Sequence, residues 1–333
     1  MRVLYLGTDI EGLGIPYQLQ REGNKVLTYS PQISAGDGLL EKTDSWRSVL
    51  LDTDLVVLTP GFAPYEKVFR KFGKPYVGGS EIENILMQYK QEDFLEACSP
   101  PMCAKFGHIV YLIGAFNGRR FAKPTIQAMF HTRLMTNGLG PICGLTGVVL
   151  RTIEADLNEK LPGISKGLKK LGVRDLVTLR IDDGRITSVS SGLLPEVLYC
   201  ITEGMLSELT DLLFGIAQGT LEFFDLTSDW VVGVKLTVPP YPFRRQGFAE
   251  RGSLIQGISE ENLKHIFPCG MQKNSLGYQT DLLSGDVLFA TARGRTLREA
   301  QRRAYRTIDN IEIPFKQYRL GIGDGAKEIT NVL

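Results

Sequence analysis

His131 and Arg133, two residues apart, make the most pointed chemical suggestion in this chain. Side chains at i and i+2 of a strand share a face, so both would meet one ligand. Arg133 would then give charge-assisted donors to a phosphate oxygen, and His131 would act as general base or hydrogen-bond donor. The plainer alternative is a structural histidine beside a surface arginine. Downstream, Asn137, Gly138, Gly140, Pro141, Gly144 and Gly147 read as a glycine-rich loop whose amides are free to approach a carboxylate or phosphate. Cys143 inside it has no visible base beside it, so a reactive thiol is the weaker reading.

A third constellation is one of charge. The chain holds 37 Asp and Glu among 333 residues, yet none falls between Ala97 and Ile153, where chance would put roughly six. Lys105, Arg119, Arg120, Lys123, Arg133 and Arg151 all lie inside that window. Arg119, Arg120 and Lys123 follow an Asn117-Gly118 turn, and we expect them either to be solvated or to add a positive field for phosphates or nucleic acid. A second run, from Arg293 to Arg306, offers Arg293 to a phosphate, while Arg302, Arg303 and Arg306 suit an exposed helix face. The loop Gly7-Thr8-Asp9-Ile10-Glu11-Gly12 departs from the dinucleotide fingerprint, which argues against NAD.

Composition sets the frame. Hydrophobic residues are 43% and charged residues 23%, with a net charge of +1, as in ordinary soluble proteins. No apolar run suits a membrane span. The opening MRVLYLGTD reads as a strand rather than a signal peptide. Five cysteines form no C-x-x-C pair, so reduced thiols, a cytoplasm (a host's, if the gene is a phage's) and no structural metal are expected.

The elements that must position these residues fall into three units. Strands at Arg2–Gly7, at KVLTYS, at Leu55–Thr59 and at Tyr76-Val77 alternate with helices around Gly14–Arg21 and Ser80–Ala97, which predicts a doubly wound α/β domain. Ser99-Pro100-Pro101 marks a boundary. Beyond it, IVYLIGAFNGRRFAKPTIQAMF and LVTLRIDDGRITSVSSG read as β-hairpins, with helical character over Ile153–Leu171 and a helix from Met205 to Gln218. WVVGVKLTVPPYPF opens the last unit, where Thr296 and Glu299 form a capping box for LREAQRRAYRTIDNI.

The closing segment carries a family resemblance. Gly294-x-Thr296-Leu297-x-Glu299-Ala300, Ala304-Tyr305 and Gln317-Tyr318-Arg319-x-x-Ile322-Gly323 resemble the end of phosphoribosylamine–glycine ligases. Ile266-Phe267-Pro268-Cys269-Gly270 stands at that family's F-H-A-G place. PPYPF with Arg251-Gly252 resembles its G-Y-P…K-G loop. His131-Thr132-Arg133 with Asn137 to Gly147 is similar to its substrate loop, and RVLYLGTD, Thr59 to Tyr65 and Gly78-Gly79-Ser80 to its first domain.

The resemblance implies a Rossmann-like pre-ATP-grasp domain over 1–98, a reduced ATP-grasp-like domain over 99–225 and a small α+β domain over 226–333. It also implies that the lobe carrying the ATP-binding lysine is missing. Where the family has its metal- and substrate-binding E-F-N-A-R-F-G-D-P-E-T, this chain has Thr187-Ser-Val-Ser-Ser-Gly-Leu-Leu-Pro195-Glu196, so that only Pro195 and a substrate-binding Glu196 persist. Hydroxyls and a valine cannot hold magnesium against a γ-phosphate. Three readings follow. The first is an ATP-independent enzyme joining a glycine-like amine to a phosphate- or pyrophosphate-activated nucleotide or DNA base, with His131 as base, Arg133, Arg119, Arg120 and Lys123 as phosphate cations, and no cofactor. Enzymes that displace pyrophosphate from viral thymidines with an amino acid are the kind of activity meant. The second is a working ligase of purine synthesis, which alone calls for ATP and magnesium. The third is a non-catalytic binding protein on the same scaffold.

Overall fold

The computed structural model describes residues 1–8, 10–30, 34–79, 109–182, 184–243, 252–281 and 285–326. The helix expected over Ser80–Ala97, the boundary at Ser99-Pro100-Pro101, Cys98, Cys103, Lys105 and Arg251 lie outside those residues.

Strands β1 (Arg2–Leu6), β2 (Lys25–Tyr29), β3 (Leu55–Leu58) and β4 (Tyr76–Gly78) form a parallel sheet in the order β2-β1-β3-β4. The unbroken apolar run of β1 has its reason here, since a parallel strand is buried on both faces. Val3 and Tyr5 enter the core shared with the next unit, while Leu4 and Leu6 pack with Trp46, Phe62 and Phe69 on the far side. Helix α1 (Gly14–Arg21) is tied to the rest by its first amide, which donates to Tyr199 Oη at 3.0 Å.

An eight-stranded sheet forms the body of the molecule. Its members are β5 (Val110–Phe116), β6 (Thr125–Arg133), β7 (Ile142–Ile153), β8 (Asp175–Asp182), β9 (Arg185–Ser191), β10 (Trp230–Thr237), β12 (Ile266–Pro268) and β15 (Asp286–Gly294). Their order is β12-β15-β10-β7-β6-β5-β8-β9. Strands on both sides of residue 225 therefore share one sheet. A small sheet holds β11 (Leu254–Ile255), β13 (Met271–Asn274) and β14 (Gly277–Thr280).

Helices α2 (Glu66–Lys71), α3 (Pro162–Leu171), α4 (Pro195–Gly204), α5 (Leu209–Gln218) and α6 (Leu297–Asp309) complete the layers used below. The α5 N-terminus is capped from the first unit, where the Glu22 carboxylate accepts the Leu209 and Thr210 amides at 2.9 and 3.0 Å, a placement the helix dipole favours. At α6, Thr296 Oγ1 accepts the Glu299 amide, while the Glu299 carboxylate takes the Arg295 amide, one residue upstream of the reciprocal capping-box partner. Among the described residues no helix is long and apolar enough to cross a membrane.

Three local expectations need correcting. The glycine-rich segment is a loop only as far as Pro141; from Ile142 it is strand, and β7 runs on to Ile153, so the helical reading starts too early. The helix expected from Met205 begins at Leu209. A whole helix, α4, occupies Pro195–Gly204, where the sequence suggested only a remnant of the family motif.

Candidate active site

Alternation along β10 builds the centre of the site. Val232, Val234 and Leu236 face the core under α6, while Val231, Gly233 and Lys235 face α4. Lys235 is thus a lysine in mid-sheet with its side chain 1% exposed. Burying an ammonium is costly unless it is paired. Its Nζ lies 2.8 Å from Glu196 Oε1 and 3.3 Å from Asp286 Oδ1, carboxylates whose side chains are 6% and 4% exposed. Glu196 stands in the first turn of α4 behind Pro195, and Asp286 opens β15 opposite Thr237. Two buried carboxylates thus flank one buried ammonium.

Tyr241 lies over this cluster, its ring centroid 5.8 Å from Lys235 Nζ. Its hydroxyl donates to the Cys143 carbonyl, tying the turn after β10 to the start of β7. Burial pushes that hydroxyl far above its ordinary value, with Lys235 opposing, so it is a fixed donor. Burial likewise raises the Cys143 thiol, which removes the thiolate that reactivity needs.

Arg319, whose charge also reaches the Cys143 thiol, is 8% exposed. It donates through Nη1 to the Arg133 carbonyl at 2.9 Å, and its buried Nε has no partner. Burial lowers its guanidinium from the ordinary value, yet arginine stays protonated.

His131 does not share a ligand with Arg133. The β6–β7 register shifts between them, pairing His131 with Gly147 but Arg133 with Ile142. Such a bulge re-aims the residues on either side of it. His131 turns inward beneath the Arg319–Gly325 turn, where its Nε2 accepts the Gly323 amide at 2.9 Å. Burial, and secondarily Arg319, lowers its pKa to about 4. At neutral pH the ring is uncharged and the lone pair a base would use is occupied. Arg133 is exposed and folds back to donate to the Gly140 carbonyl at 2.7 Å.

Asn137, Gly138, Gly140 and Pro141 form an exposed turn with left-handed φ at the first three, closed by its own Met135-to-Leu139 and Leu134-to-Pro141 backbone bonds. Gly144 keeps a positive φ at the irregular start of β7. Gly147 is needed for packing rather than for ligand approach: a Cβ there would sit 2.3 Å from Ile322 Cδ1.

One end of the sheet therefore gathers His131, Arg133, the 137–147 segment and Glu196. Arg293 is not among them, since it sits seven positions along β15 from Asp286, roughly 20 Å away at strand rise. Arg119, Arg120 and Lys123 lie at the opposite end, beyond the start of β6. There Arg120 pairs with Glu222 and Lys123 with Asp156, both at 2.9 Å. The acid-free window in sequence is thus met by acids in space. Sequence reasoning missed Lys235, Tyr241, Asp286 and Arg319. The signal for Lys235 was present, because a charge inside the run V-V-G-V-K-L requires buried counter-charges.

The sequence resemblance, read as a working ligase, implies ATP and magnesium, and the described residues do not fit a metal pair. No three His, Cys, Asp or Glu side chains among them are grouped to hold a cation, and the two carboxylates at the centre are bridged by Lys235.

No family model matches the sequence, and no curated protein matches it. Solved structures do. Phosphoribosylamine–glycine ligase of Thermotoga maritima aligns with TM-score 0.63 and 19% identity over 96% of this chain and 99% of that one. N5-carboxyaminoimidazole ribonucleotide synthetase of the same organism gives 0.54 and 12% over 94% and 99%. The biotin carboxylase domain of Hydrogenobacter thermophilus 2-oxoglutarate carboxylase, in a complex with MgADP, ADP and bicarbonate, gives 0.60 and 10% over 95% and 91%. At these identities the likeness is one of fold alone.

Proposed function

We propose that this chain uses the ligase-like scaffold as an ATP-independent transferase, joining the amine of a glycine-like amino acid to a nucleotide already activated by phosphate or pyrophosphate. The observation that carries the reading is the buried Glu196–Lys235–Asp286 cluster together with the Arg319 guanidinium, whose Nε is unpartnered and whose charge, like those of Lys235 and Asp286, reaches Cys143.

In this scheme the amine nitrogen forms a bond to the activated carbon. The bond from that carbon to the phosphate or pyrophosphate oxygen breaks, and the leaving group departs with the electron pair. The proton shed by the amine passes to the carboxylate of Asp286 or Glu196. Arg319 receives the developing phosphate charge, which a buried guanidinium stabilises well. His131 takes a positioning role, holding the Gly323 amide and with it the Arg319 turn, in place of the general-base role expected from sequence. Arg133 and the Asn137–Pro141 turn would close over the substrates.

A DNA acceptor drew its support from Arg119, Arg120 and Lys123. Two of these are paired with acids at the other end of the sheet, so a free nucleotide is the acceptor we favour. The bridging of both carboxylates by Lys235 speaks against the ATP-dependent reading.

The test has two arms. Glycine and a pyrophosphate-activated hydroxymethyl pyrimidine nucleotide, without ATP, should release pyrophosphate and form the aminated nucleotide, and Asp286→Asn and Arg319→Gln should abolish this. ADP formed from ATP, magnesium, glycine and phosphoribosylamine would overturn the proposal in favour of a working ligase. Inactivity in both arms would leave a binding protein.

A further inference from the structure

At the far end of the eight-stranded sheet from this cluster lies a cleft of about 880 Å³. Its walls come from three places in the chain: α2 and the start of β4, the β5–β6 turn at Gly118, and the junctions that follow α3 and α5. Junctions between packed units are where ligand sites concentrate, and a volume of this order holds a nucleotide-sized molecule.

The lining is strongly one-signed. Lys67, Arg70, Lys74 and Arg174 face the cleft with Glu66 as the lone carboxylate. Glu66 is already engaged by Arg70 at 3.3 Å and by the Tyr76 hydroxyl at 3.1 Å. Lys74 donates to the Leu51 and Thr53 carbonyls, which fixes its ammonium without neutralising it. Arg174 caps the end of α5 through Nη1 to the Ala217 carbonyl at 3.0 Å. Its stem lies against Gly118 and Gly219, both with positive φ, and a Cβ at Gly118 would come within 3.0 Å of Arg174 Nε. Lys67 is exposed, and among the described residues no acid pairs with it. The carbonyl ends of α3 and α5 open here as well, but Arg174 already answers one of them.

We propose that this cleft is a second binding site, separate from the transferase centre, for a phosphorylated ligand of nucleotide size. Lys67, Lys74 and Arg174 hold its phosphates.

The experiment is calorimetric titration of the full chain with ATP, inorganic tripolyphosphate and adenosine. ATP and tripolyphosphate should bind, more weakly as salt rises, and adenosine should not. If tripolyphosphate matches ATP, the site reads phosphate alone; if ATP is tighter, the cleft also reads the nucleoside. Lys67→Glu, an exposed position where folding is safe, and Arg174→Ala should each weaken binding by about tenfold. Arg302→Ala, an exposed α6 position that lines neither the cleft nor the transferase centre, should leave it unchanged. Absence of binding at about 1 mM ligand, equal binding of adenosine, indifference to both cleft variants, or an equal loss in Arg302→Ala would each overturn the proposal. The transferase reading, tested by pyrophosphate release, is untouched by any of these.

Discussion

The two ends of the eight-stranded sheet handle charge in opposite ways. At the Lys235 end a few charges are sunk almost out of solvent and matched by contacts that come from distant parts of the chain. At the hairpin end many cations crowd one short stretch of sequence, stand largely in water, and meet acids brought in by folding. Local charge density along the chain was the conspicuous signal, yet the isolated lysine in an apolar run marks the more structured site. A solvated cation does little work because water screens it, whereas a buried one dictates everything around it.

Substitutions can break this contrast or sharpen it. The largest effect should come from Lys235→Met, which removes the ammonium between two buried carboxylates and should cost about 3–5 kcal/mol. Adding Glu196→Gln and Asp286→Asn should recover part of that loss. Thermal melting of the two variants reads the difference, and a melting temperature unchanged by Lys235→Met would show the cluster to be solvated after all.

Next comes pH. His131 has a folded pKa of about 4 against an ordinary 6.5, so the folded state binds fewer protons than the unfolded one between those values. The stability this represents is complete above pH 6.5 and is lost as pH falls towards 4, up to about 3 kcal/mol at 1.4 kcal/mol per unit. Denaturant titrations at pH 7 and 4.5 should show a smaller drop in His131→Gln than in the parent, because glutamine does not titrate. Equal drops would place the pH sensitivity in other groups.

Smaller still, Tyr241→Phe removes the bond to the Cys143 carbonyl and should cost about 1 kcal/mol. Thermal melting should fall slightly, and an unchanged melt would show that the turn after β10 holds its place without this bond. At the hairpin, Arg120→Ala deletes an ion pair whose members are 55% and 71% exposed. Such pairs are worth about 0–1 kcal/mol, so melting should barely move; a clear fall would mean that the hairpin end is more tightly organised than its exposure implies.

Much of the fold was legible because hydrophobic period and turn chemistry are local. The parallel strands, α1, both hairpins and the capped α6 all sit where their patterns predict. What escaped is non-local. Nothing in Ile142–Ile153 distinguishes a strand with an irregular start from a glycine loop followed by helix, since that choice is settled by pairing with β6 and β10. The inward turn of His131 depends on a bulge created by partner residues 142–147, and the pairing of Lys235 with Glu196 and Asp286 joins residues up to about fifty positions apart. Asp156 and Glu222 lie outside the window whose cations they answer, which is why that window read as unopposed.

The position of β10 has a consequence for how the molecule is made. Strands β5 to β9 are contiguous in the chain, but β7 has β6 on one side only until β10 arrives to pair with Gly147–Leu150. A growing polypeptide carries that bare, valine-rich rim from the time β7 emerges until residue 237 does, on the order of ten seconds at ribosomal speed. Unpaired rims of this kind recruit other strands. A stop codon near residue 225 should therefore yield a sticky product rather than a smaller working one, even though the sequence invites a cut there.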